Sequence, residues 1–139
     1  MTTKRKSWKQ KMNPKAEWKV EVSDKKFADI PEGATMLIAT PAIVEAYIKN
    51  ISEGVHTSLA QMRKDLAAEY HAEFTCPITS GIFLRIVAEN AYEEYQEGKP
   101  LSVIAPFWRM IDSKTPTLKK LSFGTEFINE QRKSEGLPL

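Results

Sequence analysis

Between Thr40 and Gln96 the chain repeats one pattern: a capping residue or proline, apolar side chains at helical spacing, then a polar or glycine break. Thr40 can cap a helix and Pro41 suits its first position. Ala42, Ile43, Ala46, Tyr47 and Ile51 follow at helical intervals, and Ser52-Glu53-Gly54 closes the run. Thr57 or Ser58 can cap a second helix whose inward face is Leu59, Met62, Leu66, Ala67 and Tyr70. Cys76-Pro77 falls in the next connection. Thr79 or Ser80 then opens a third helix reaching about Gln96, with Ile82, Phe83, Ile86, Val87, Ala91, Tyr92 and Tyr95 as its apolar positions and Gly98 as its stop. Three helices joined by short turns are compatible with a helix-turn-helix module.

The flanks are less regular. Residues 19–23 alternate and read as a short strand, and Pro31-Glu32-Gly33 is a turn signal. Met36 to Ala39 is a short apolar run, either a strand or an extended link. Pro100 to Pro106 reads as an extended, partly buried segment, and Phe107 to Ile111 as a second extended piece. Lys114 to Pro116 is a turn. Leu118, Leu121, Phe123, Phe127 and Ile128 mark late packing elements, with a helix expected after Gly124 and fraying over residues 133–139. The expected fold is mainly α: one winged helix-turn-helix-like domain over residues 19–139 with a short β wing, preceded by a flexible basic leader over residues 1–18.

Charge is unevenly spread. Residues 1–15 hold six basic side chains and no acid, and the rest of the chain is formally −4. Such a leader can touch phosphates or an acidic surface, and it equally reads as a solvated terminus. Trp8 and Trp18 are unusual in so polar a stretch, and either can pin the leader to the domain. With 42% hydrophobic residues the chain can fill one core, but no window approaches a membrane span. The first thirty residues hold no apolar signal region, and a lone cysteine forms no internal disulfide, so a reducing, cytoplasmic setting is expected.

Several chemistries lack their residues. His56, His71 and Cys76 form no metal motif, and the six glycines include no Gly-x-Gly, so neither metal nor nucleotide cofactor is expected. Cys76 precedes a helix, where a thiol can be activated, yet it also reads as a small buried hydrophobe. Glu89, Glu93 and Glu97 share one face of the third helix, read as a solvated face. Pro106-Phe107-Trp108-Arg109 reads either as core with one solvated guanidinium or as a stacking surface with a charged handle.

That last motif carries a resemblance. From about Thr40 to Gly136 the order of elements resembles the DNA-binding domain of the O6-alkylguanine-DNA alkyltransferases and the alkyltransferase-like proteins. Ile104 to Ile111 is similar to the family's Pro-Cys-His-Arg motif, with Pro106 and Arg109 matching. Phe107 stands where the alkyl-accepting cysteine belongs, and Trp108 where its histidine belongs. Arg85, in Phe83-Leu84-Arg85-Ile86-Val87, looks like the arginine that enters the duplex when a nucleotide flips out. Ser58 falls near the family tyrosine that rotates the target phosphate, and Lys99-Pro100 near its Asn-Pro. Phenylalanine is no nucleophile, so the resemblance implies no alkyl transfer.

The resemblance implies a non-enzymatic protein that binds double-stranded DNA, including alkylated or flipped bases. Arg85 would prop the vacated stack; Phe107, Trp108 and Arg109 would line a base pocket; Ser58 or Ser80 and the leader would contact phosphate. A protein-interaction module on a degenerate version of the same fold is the alternative. No membrane partner, metal or cofactor is expected.

Overall fold

The computed structural model describes residues 6–139, so Lys4 and Arg5 of the leader lie outside the described residues. The element order is α1 (Trp8–Lys11), β1 (Lys19–Val22), β2 (Thr35–Ile38), α2 (Pro41–Lys49), α3 (Leu59–Glu69), β3 (Phe74–Thr75), α4 (Pro77–Gln96) and α5 (Glu126–Ser134). Two 3-10 turns, Phe107–Arg109 and Pro116–Lys120, lie between α4 and α5. The domain is thus mainly helical with one small sheet.

Local capping explains where α2 and α3 begin. The Thr40 hydroxyl accepts from the Ile43 amide at 3.2 Å, and Pro41 fills the first helical position, where no donor is needed. The Ser58 hydroxyl accepts from the Gln61 amide at 3.0 Å. The third helix begins earlier than its hydroxyl residues predict. Pro77 is already helical, and the Cys76 amide, donating to the Leu37 carbonyl at 2.9 Å, ends β3 at the helix boundary. Ser80 therefore sits one turn inside α4, buried, donating its hydroxyl to the Cys76 carbonyl at 2.7 Å.

The sheet lies elsewhere than expected. β1 and β2 form an antiparallel hairpin with Val20 opposite Leu37, and β3 adds in parallel on the far side of β2. Among the described residues no strand follows α4, so the wing expected there is absent. Residues 100–106 form a turn and a bend, and Phe107–Arg109 is 3-10. The physical reason is that Pro100 and Pro106 have no N–H to offer a ladder, while Ile104, Ala105 and Phe107 are drawn into the core.

That core runs from Leu37 through Val44, Ile48, Met62 and Leu66 to Leu84, Val87, Phe107 and Ile128. A small satellite of Ile30, Ala34, Met36 and Cys76 sits on the other face of the sheet. Cys76 is accordingly a packed residue at the base of α4. The fraying expected at residues 133–139 does not occur, because Leu137 is buried and Arg132, 1% exposed, donates to the carbonyls of Trp108 and Pro138.

Helix α4 is apolar around much of its girth, so periodicity alone does not choose its inner face. Packing against α2 and α3 buries Leu84, Val87, Ala88 and Ala91, and leaves Ile78 62% and Ile82 51% exposed. Two truncations separate the faces. Leu84→Ala is expected to cost roughly 2–5 kcal/mol in urea denaturation. Ile82→Ala should cost under about 1 kcal/mol, and a reversed ranking would invert the helix register described here.

Candidate nucleic-acid interface

The exposed side of α4 forms one wall of a groove of about 690 Å³. Ile78, Ile82 and Arg85 come from α4, Trp8 and Lys11 from α1, and Lys120 from the second 3-10 turn. The arrangement follows from the leader. Ser7 caps α1 in a reciprocal box with Gln10, which fixes one helical turn and sets it against α4. The Trp8 ring then lies 5.2 Å from the Arg85 guanidinium carbon and 4.2 Å from Lys11 Nζ, within cation–π range of both. Among the described residues three cations border the groove, and no carboxylate does.

Arg85 is held from behind. Its Nε lies 3.7 Å from a Glu89 oxygen, too long for a hydrogen bond, and has no hydrogen-bond acceptor among the described residues. Glu89 is not on a solvated face. It is 2% exposed, and its carboxylate accepts from the Ser122 amide at 2.9 Å and the Ser122 hydroxyl at 2.5 Å. Its charge is therefore spent on Ser122 and on steering Arg85, and it does not face the groove. Glu94 is likewise taken up, by Lys99 at 2.5 Å.

The other expected site residues are distributed differently. Ser58 is exposed at the N-terminus of α3, next to Leu59 in the groove wall. Ser80 points inward and reaches no surface phosphate. Phe107 is fully buried, with ring centroids 5.5 Å from Trp108, 5.8 Å from Phe123 and 5.7 Å from Phe127. It presents no ring face to solvent. Trp108 is 3% exposed, although with Arg109 it borders a shallow concavity of about 210 Å³ beside Lys49 and Pro106.

Arg109 is engaged on every side. Its Nε and Nη2 donate to Glu135 at 2.9 and 3.0 Å, and its Nη1 donates to the Ile51 carbonyl at 2.7 Å. Glu135 also accepts from Trp108 Nε1 at 2.6 Å and from the Gly54 amide at 2.8 Å. Gly54, at φ +79, supplies the left-handed turn that aims its N–H at the carboxylate. Burial raises the pKa of Glu135, but the hydrogen bonds from Arg109, Gly54 and Trp108 outweigh it and hold the carboxyl below the ordinary range. Nearby, Arg132 Nη1 lies 3.1 Å from His56 Nδ1, and burial together with the Arg132 charge pushes the imidazole pKa down against the pull of Asp112. Pro106 to Arg109 is thus both core and clasp.

The sequence points to Arg85 and, through the basic leader, to Lys11, but not to Ile78, Ile82 or Lys120. The isoleucines were assigned inward or left unassigned, and nothing local marks a lysine as facing a groove. Among the described residues no group of His, Cys, Asp or Glu is placed to hold a metal, and no helix is long and apolar enough to cross a membrane. Compared with known proteins, the chain matches no family model, no curated protein sequence and no solved structure.

The clasp makes a pH prediction. Because Glu135 has a depressed folded-state pKa, its stabilisation is fully present above the ordinary glutamate value of about 4.3 and is lost as pH falls through the lower folded-state value. His56 is depressed too, so stability also declines as pH falls below about 6.5. Glu135→Gln is expected to cost about 2–4 kcal/mol at neutral pH. It should flatten the limb below about pH 4.3 while leaving the higher one in place, as read by thermal unfolding across a pH series.

Proposed function

We propose that the chain binds double-stranded DNA without catalysing a reaction on it, presenting the outer face of α4 to the duplex. The observation that supports this most is the convergence of separate cations on one concave surface. The body of the chain beyond residue 15 is formally acidic, yet α1 brings Lys11 of the leader against α4 beside Arg85, and Lys120 closes the opposite rim. The Arg85 side chain is 38% exposed while its buried Nε faces the inward-turned Glu89, so the face offers a cation without a competing carboxylate. Phosphate contacts of this kind position a protein on a duplex, and side chains reaching base edges specify sequence.

In this reading α3 and α4 are the two helices of a helix-turn-helix, and β3 occupies their connection. The finer form of the proposal, preference for an alkylated or flipped base, is carried by the resemblance of residues 40–136. Arg85 would be its intruding side chain. Phe107, Trp108 and Arg109 hold the scaffold that positions α4, and Ser58 stands at the groove edge. A second reading, capture of a protein partner, is favoured by the exposed Ile78 and Ile82, which give the groove an apolar floor.

Fluorescence-anisotropy titrations with plain and O6-methylguanine duplexes at several salt concentrations test the assignment. Binding should weaken with salt by about 0.9 logarithmic units per decade for each phosphate neutralised. Arg85→Ala and Lys120→Ala should each lower the slope by about one such contact. A lesion preference that disappears in Arg85→Ala supports the finer form. Equal affinity for both duplexes supports plain duplex binding alone, and no binding, or slopes indifferent to both variants, overturns the proposal.

A further inference from the structure

The sheet ends in a strand with one side unpaired. Among the described residues β1 bonds only to β2, and all four of its residues are exposed. Its hydrogen-bonding direction is fixed at Ser23, whose amide donates to the Ala34 carbonyl at 2.9 Å. An antiparallel ladder alternates direction at each residue. Glu21 and Lys19 therefore address β2, while Val22 and Val20 turn their N–H and C=O groups outward. Side chains alternate as well, placing Trp18, Val20 and Val22 on one face and Lys19 and Glu21 on the other.

Both faces of this edge are unusual. Val22 is 66%, Trp18 48% and Val20 39% exposed, a continuous apolar row beside open backbone donors and acceptors. Folded proteins commonly protect such an edge with proline, a bulge or unbalanced charge. Here Lys19 Nζ lies 2.5 Å from Glu21 Oε1, so the strand's two charges cancel.

We propose that β1 pairs with β1 of a second copy of this chain about a two-fold axis at Val20, joining two three-stranded sheets into one. The sequence of the strand is self-complementary in that register. A two-fold axis perpendicular to the sheet keeps odd and even residues on their own faces, so Val20 opposes itself and Trp18 opposes Val22 of the second copy. Lys19 opposes Glu21 of the second copy, and Glu21 opposes its Lys19. These charged pairs fall at the non-hydrogen-bonded positions, where opposing side chains approach most closely. The outward N–H and C=O of Val20 and Val22 find partners at the same time. The neighbouring register, with its axis at Glu21, sets that carboxylate against its own copy and is disfavoured by like charge. A foreign strand could use the open backbone, but the charge order favours the chain itself. None of these residues lines the α4 groove, so the pairing is independent of DNA binding.

The contact is one short strand from each copy, which fits a weak, concentration-dependent dimer. Sedimentation velocity of the full chain from about 5 to about 500 µM should show a monomer–dimer equilibrium. Glu21→Lys alone and Lys19→Glu alone should each weaken association about tenfold or more, because like charges then oppose across the axis. Both positions are on the surface, and unchanged circular dichroism confirms folding. Mixing the two single variants should restore association, since each then supplies the charge the other lacks, and the double exchange in one chain should restore it as well. A chain that stays monomeric throughout, a dimer indifferent to either single variant, or a mixture that fails to associate overturns the proposal.

Discussion

The carboxylate of Glu135 is the point at which three separate parts of the chain meet. It is 6% exposed, and burying an ion in that way is costly unless donors surround it. Those donors come from the turn after α2, through the Gly54 amide, and from the 3-10 turn, through Trp108 and Arg109. Arg109 carries the connection one step further, to the Ile51 carbonyl, and Arg132 adds a parallel link from α5 to the Trp108 carbonyl. With these bonds in place, the rings of Phe107, Trp108 and Phe127 are held against the core that α4 packs upon. The position of α4, and of everything on its outer face, is inherited from that arrangement.

The same economy operates on α4 itself. Glu89 is buried under Arg85 and capped by Ser122, so a residue that would otherwise repel a polyanion orients a cation from behind. Trp8 does the complementary work from the front, with its ring beside the guanidinium. A guanidinium held between an aromatic ring and a buried carboxylate has fewer rotamers to lose when it meets a ligand, which lowers the entropic cost of the encounter. The electrostatic character of the groove is therefore set by which charges are buried, more than by how many the chain contains.

Features governed by neighbours in sequence are legible in the sequence itself. Thr40-Pro41, Ser58 and Gly98 mark helix ends through backbone chemistry that needs no tertiary partner, and the alternation of residues 19–22 marks β1. Features governed by distant neighbours are not. Nothing in the row Ile82, Phe83, Leu84, Ile86, Val87 says which side meets α2 and α3. A buried Glu89, Arg132 or Glu135 is spelled like a solvated one, and Leu137 near the chain's end gives no local sign that it is packed. The segment from Pro100 to Ile111 has strand-like side chains, but two prolines and a demand for burial at Ile104 and Phe107 bend it into turns. Of the expected site residues, Arg85 lies in the groove, Ser58 is exposed next to Leu59 of its wall, Ser80 and Phe107 lie inside the protein, and Trp108 and Arg109 serve the clasp.

Gly54 and Glu135 lie 81 positions apart, yet they share one hydrogen bond at the centre of the clasp. During synthesis, a nascent chain that has emerged through α4 carries every residue of the first three long helices but none of the carboxylate that locks them. When residues 107–109 follow, the aromatic side chains at 107 and 108 still have no Phe127 to pack against, and Arg109 still lacks its anion. Contacts this remote in sequence are slow to form because a long loop must close first. The domain is therefore built to mature after α5 leaves the ribosome, with a window in which an incomplete core is open to chaperones.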